Sequence, residues 1–80
     1  MKFLLTMNMP SVNGKAVHQI VAEHNSKDVG EFAEYVADHN VIVVEEFYKD
    51  DDTGQIRSQG SIALNCSLIG KIKAYKPSSR

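Results

Sequence analysis

The stretch VVEEFYKDDDTG, residues 43–54, decides the fold. β-Branched and aromatic residues run into three aspartates and Thr53-Gly54, and the alternating segment QIRSQGSIALN (55–65) follows. Two β-rich runs about a polar, glycine-containing tip are the mark of an antiparallel hairpin with a short loop. Two catalytic interpretations fail on geometry. Glu45 and Glu46 are adjacent, so in a strand they point to opposite faces and cannot converge on one substrate atom. A carboxylate dyad needs both groups on one side. Counted from Asp50, Gly54 is fifth where a calcium loop needs glycine sixth, and Ser61 stands twelfth where it needs glutamate. One of the two glutamates must nevertheless face inward with its apolar neighbours, Val41, Val43 and Phe47 for Glu45, or Ile42, Val44 and Tyr48 for Glu46. That carboxylate is expected to find Arg57, Lys71 or Lys73 or a subunit interface, because a lone buried carboxylate is costly.

Upstream of the hairpin the period changes. Val29, Phe32, Ala33, Val36 and Ala37 recur at helical spacing and predict one amphipathic helix with those residues buried. Ser26 or Asp28 caps it, and Asp28 with Glu31 three residues on has the spacing of a capping box. His39 and Asn40 are expected to end it, Asn40 being tolerant of the left-handed conformation. KFLLTMNM (2–9) and AVHQIVAEH (16–24) alternate as two strands around the turn residues PSVNGK (10–15). In the second of these strands Ile20 and Ala22 share a face with Ala16, His18 and His24. In the answering arm of the hairpin Ile56, Ser58, Gly60, Ile62 and Leu64 share one. LIGKIKAY (68–75) makes a last strand, with Lys71, Lys73 and Tyr75 turned away from Gly70, Ile72 and Ala74. The order β-β-α-β-β-β predicts an α+β fold, one antiparallel sheet with the helix on one face. Residues 1–76 make a single domain, and KPSSR leads into a frayed tail at 77–80.

Eighty residues lie near the lower limit of what folds unaided. Cys66 is the only cysteine, so no disulfide contributes, and self-association is the remaining staple. A homo-oligomer is therefore expected. The apolar burst in MKFLLTMNM is too short for a secretory segment, and no run reaches the length of a membrane span. With a single thiol this points to the reducing cytoplasm. The net charge of −1 hides three blocks: residues 1–22 carry +2, residues 23–52 carry −8 and residues 53–80 carry +5. Such polarity bears on partners rather than fold.

The remaining candidate chemistry is thin. His18 and His24 are six residues apart on a strand, about 20 Å at about 3.3 Å per residue, too far to share an ion. No zinc spacing and no nucleophile–base–orienter set occurs, so no catalytic residue, metal or cofactor is expected. Cys66 has no second cysteine nearby and is expected to be a buried thiol. Lys71, Lys73, Tyr75, Lys76 and Arg80 form a basic strip, but an isoelectric point near 6.3 and the acidic middle argue against nucleic acid. Two lysines on an edge strand also serve to prevent aggregation.

In compactness, lack of catalytic residues and polarised charge, the chain resembles small phage or mobile-element accessory proteins. The leading expectation is a non-enzymatic binding or inhibitor protein. Its acidic helix face (Glu31, Glu34, Asp38) and acidic hairpin (Asp50, Asp51, Asp52) would meet a basic protein partner, such as a nucleic-acid-handling enzyme of a host. The alternative is a homo-oligomer that holds a small anion such as a nucleotide at a subunit boundary. Ser11, Asn13, the Gly14 backbone and Lys15 would cradle it, as glycine-rich loops do.

Overall fold

The computed structural model describes residues 1–8, 18–50 and 52–76, with His18 described by its backbone alone. The elements are β1 (Lys2–Met7), β2 (His18–Glu23), α1 (Val29–Asp38), β3 (Val41–Lys49), β4 (Ile56–Asn65) and β5 (Ile69–Ala74), with a short 3-10 turn at Cys66–Leu68. All strand pairs are antiparallel, in the order β4-β3-β2-β1-β5. This is the expected α+β domain with one helix.

Alternation sets the two faces of the sheet. Phe3, Leu5 and Met7 of β1 stand opposite Ala22, Ile20 and His18 of β2. Ile42 and Val44 of β3 stand opposite Leu64 and Ile62 of β4. The inner row of Phe3, Leu5, Met7, Ile20, Ala22, Ile42, Val44 and Leu64 is buried, together with Cys66 and the helix residue Phe32. Phe32 stacks on Phe3 with ring centroids 4.5 Å apart and planes 16° from parallel, and both side chains are fully buried. Burying a Phe side chain contributes about 1.5–3 kcal/mol, so this pair anchors the helix to the sheet.

Chain connectivity forces the sheet to curl. β4 and β5 lie at opposite edges of five strands, yet only Cys66–Leu68 separates them. Four Cα steps from Asn65 to Ile69 reach at most about 14 Å. The edges of a flat sheet of this width lie about 19 Å apart at about 4.8 Å per strand. The long β3–β4 hairpin must therefore sweep over the inner face. The Cys66 N–H bonds the Asn40 carbonyl at 2.9 Å, and the Asn8 N–H bonds the Leu68 carbonyl, which ties the crossing at both ends.

The helix is capped as its sequence suggests, with one change. Asp28, extended at φ −155°, accepts the Glu31 N–H at 2.8 Å. Glu31 reaches back one residue further than a capping box requires and accepts the Lys27 N–H at 2.7 Å. At the other end His39 closes the helix, as expected: it is extended at φ −129° and its N–H bonds the Val36 carbonyl at 3.3 Å. The buried stripe is also narrower than the periodicity implies. Phe32 is buried and Val29 and Val36 pack partly against the core, whereas Ala33 and Ala37 are exposed. A lone helix touches a curled sheet along one line, and an alanine methyl beside that line is too short to reach it.

The shared face expected for Ile56 through Leu64 breaks in the middle. Glu46 pairs with Gly60 and Phe47 with Ser58, so Gln59 is an extra residue and β4 bulges there. Gly60, with φ at 94°, takes the conformation that a side chain disfavours. The bulge leaves Gly60, Ile62 and Leu64 facing inward and turns Ser58 outward, in register with Phe47.

Candidate partner-binding face

The helix C-terminal half and the chain leading into it from β2 build the most distinctive surface of the molecule. His24, just past β2, lies against Phe32 and Tyr35 at centroid distances of 4.9 and 4.5 Å. Tyr35 in turn stacks on His39 at 4.0 Å. Five rings thus run from Phe3 in the core, through Phe32, His24 and Tyr35, to His39 at the surface. Spacing of four residues places Tyr35 and His39 on one side of the helix end.

The tautomers of the two histidines follow from their neighbours. The Ser26 N–H donates to His24 Nδ1 at 3.1 Å, and the Ser26 hydroxyl lies 2.8 Å from the same nitrogen. Nδ1 is therefore an acceptor and the proton sits on Nε2. Burial holds the His24 pKa below its usual value, only partly offset by the Glu31 carboxylate. His39 plays the opposite part: Nδ1–H donates to the Tyr35 carbonyl at 2.7 Å, satisfying a group that the helix end leaves free.

His24, Asn25, Ser26, Glu31, Glu34, Tyr35 and Asp38 line one open hollow, with no lysine or arginine among its described lining residues. The helix acids expected from the sequence, Glu31, Glu34 and Asp38, are thereby brought together. Their availability differs. Glu31 is committed to the Lys27 N–H, while Glu34 and Asp38 are exposed and carry no ion pair among the described residues. The exposed edge of Tyr35, 38% accessible, lies on the same helix face. Sequence reasoning missed Tyr35 and His24. The signal for Tyr35 was its spacing of four from Glu31 and His39, whereas His24 joins only through the chain path between β2 and α1.

The hairpin acids are placed elsewhere. β3 separates the helix end from Asp50 by nine residues, about 25–30 Å along the strand. Asp50 is part of the turn. It accepts the Asp52 N–H at 2.9 Å and the Arg57 Nε–H at 2.8 Å, and its carboxyl is held below the usual range by these bonds, the backbone one first. Asp52 is exposed, and Asp51 lies outside the described residues. The loop residues Ser11, Asn13, Gly14 and Lys15 also lie outside them, as do residues 77–80 of the tail.

The two glutamates of β3 separate as alternation requires. Glu45 faces outward and accepts a hydrogen bond from the Ser58 hydroxyl. Glu46 faces the helix side, yet is only half-buried and forms no ion pair among the described residues. The expected basic partner is not needed there, because Gly60 opposite it leaves open space for water. Arg57 is engaged by Asp50, and Lys71 and Lys73 pair with Thr6 and Leu4 on the outer face. Cys66 is buried, and burial pushes its thiol pKa up, away from nucleophilic character.

Among the described residues no group of three or more His, Cys, Asp or Glu could hold a metal ion, and no helix is long and apolar enough to cross a membrane. Comparison with protein-family models, with curated proteins and with solved structures finds no match.

Proposed function

We propose that this protein is a non-enzymatic binding protein, of the inhibitor or accessory kind, that recognises a basic macromolecular partner through the α1 face formed by Glu34, Tyr35 and Asp38. One observation carries the proposal. Two carboxylates with no ion-pair partner among the described residues flank an exposed aromatic ring, in a hollow whose described lining holds no lysine or arginine. An arginine or lysine side chain supplies what such a surface lacks: a positive charge for the acids, and an aliphatic stem that can lie along the exposed edge of the ring. A rigid Tyr on a helix packed to the core also costs little entropy to order. Glu31 takes part as the residue that fixes the helix start, and the hairpin as a separate acidic site centred on Asp52.

The direct experiment is calorimetric titration with a short arginine-rich peptide at low and high salt. Glu34→Lys with Asp38→Lys should remove binding, while Asp52→Lys should leave most of it. Equal binding by wild type and the helix variant would dispose of the proposal.

A further inference from the structure

The two edges of the sheet are defended differently. β5 carries Lys71 and Lys73 on its outer side, and its register with β1 shifts between Thr6 and Met7. Charged side chains and irregular register are the ordinary means of keeping an edge from pairing. β4, the opposite edge, is ten residues long, and its only charge is Arg57, which is tied to Asp50 in the hairpin. From Ser58 to Asn65 no residue is charged. β4 pairs with β3 on one side and with no described strand on the other. Beside this edge, on the outer face, Val43 and Val41 are 64% and 57% exposed, opposite Ala63 and Asn65.

We propose that the Gly60–Asn65 half of β4 pairs antiparallel with the same segment of a second copy, so that two sheets join edge to edge about a two-fold axis. The occupant is a second copy because of charge. A two-fold contact sets one surface against itself, so a lysine-bearing edge such as β5 would oppose its own charge. The β4 segment has no charge to oppose. The Gly60 N–H is already taken by the Ser58 hydroxyl at 3.1 Å, and antiparallel pairing of identical strands satisfies the outward N–H and C=O groups of the rest of the segment on both sides at once. The bulge at Gln59 confines the contact to the upper half of the strand, because it twists the lower half away. Joining the edges brings Val41, Val43 and Ala63 of both copies onto one continuous outer face. Six residues of edge bury well under the roughly 800 Å² per partner of a standard interface, so the dimer belongs to the weak class. This contact is independent of the helix face above.

Sedimentation equilibrium on the full chain tests it, and a monomer–dimer transition with a Kd on the order of tens of micromolar is expected. Ala63→Lys and Ser61→Lys, both at exposed positions of β4, should each raise that Kd by about tenfold or more. Lys73→Glu, at the opposite edge, should leave it unchanged. A wild type that stays monomeric at several hundred micromolar overturns the proposal. So does a dimer that survives both β4 lysines, or one that Lys73→Glu disrupts instead. Should the lysine variants fail to fold, hydrogen exchange on the wild type decides: slower amide exchange in Gly60–Asn65 at high concentration supports the contact, and concentration-independent exchange there refutes it.

Discussion

The ring of Tyr35 lies on that of His39, 4.0 Å away and 18° from parallel, while His39 Nδ1–H holds the carbonyl of Tyr35 itself at 2.7 Å. One histidine thus closes the helix and fixes the outermost ring of the proposed binding face. His39→Ala should cost stability on the scale of a lost cap, about 0.5–2 kcal/mol. It should also leave Tyr35 mobile and weaken the arginine-peptide titration. His39→Asn, able to reach a carbonyl but not to stack, separates the two effects: it should recover part of the melting midpoint and none of the binding. Recovery of both would show that the ring contact is idle.

Phe32→Ala removes the one fully buried side chain of the helix. The expected loss is about 3–5 kcal/mol, comparable to the whole stability of so small a domain. Ala33→Ser, one residue along and exposed, should leave the urea midpoint unchanged. Similar effects from the two would mean that Phe32 does not face the sheet.

His24 makes stability depend on pH. Its pKa in the fold is held below the ordinary 6.5, first by burial. The folded state therefore binds fewer protons than the unfolded chain as pH falls through that value, so the stabilisation is complete above it and is lost below it. Protonation at Nδ1 would also break the bond from the Ser26 N–H and reverse the one to the Ser26 hydroxyl. Urea midpoints should fall between neutral and mildly acidic pH, and His24→Phe, which keeps the ring stack, should flatten that slope. An unchanged slope in the variant would assign the effect to another group.

The hairpin acids should behave unequally. Asp50→Lys removes the acceptor of two hydrogen bonds and sets a cation beside Arg57, so its melting midpoint should drop. Asp52→Lys, exposed and bonded through its backbone alone, should melt with the wild type. Equal behaviour of the two would show that the Asp50–Arg57 pair contributes nothing to the turn.

Gly60→Ala places a side chain at φ 94°, where nothing crowds it but the backbone is strained. The cost should be about 1–3 kcal/mol despite the empty surroundings. A neutral result on thermal melting would indicate that β4 can pair without the bulge.

Much of the fold was legible because periodicity is local. Alternation in β1, β3 and β5, helical spacing over Val29–Val36 and the Asp-Thr-Gly tip each name their own element. What was hidden depended on pairing. The bulge at Gln59 exists only in relation to β3, so counting along β4 alone carried Ser58 and Ile56 to the wrong face. Glu46 escaped the need for a basic partner through a glycine on a neighbouring strand. At the proposed binding face, the acids of one helix were visible from spacing, but the ring ladder needed β2 and α1 to meet. The hairpin aspartates looked equivalent in sequence, and only the placing of Arg57 shows that Asp50 belongs to the turn.

The recognition of a cation by Glu34, Tyr35 and Asp38 is tested most directly by NMR shift mapping during titration with an oligo-arginine peptide. Binding at this face predicts that amide and ring resonances of Glu34, Tyr35, Asp38 and His39 move together, saturably, and that added salt reverses the shifts. Shifts confined to the hairpin around Asp52, or none at concentrations where other acidic surfaces respond, would contradict it.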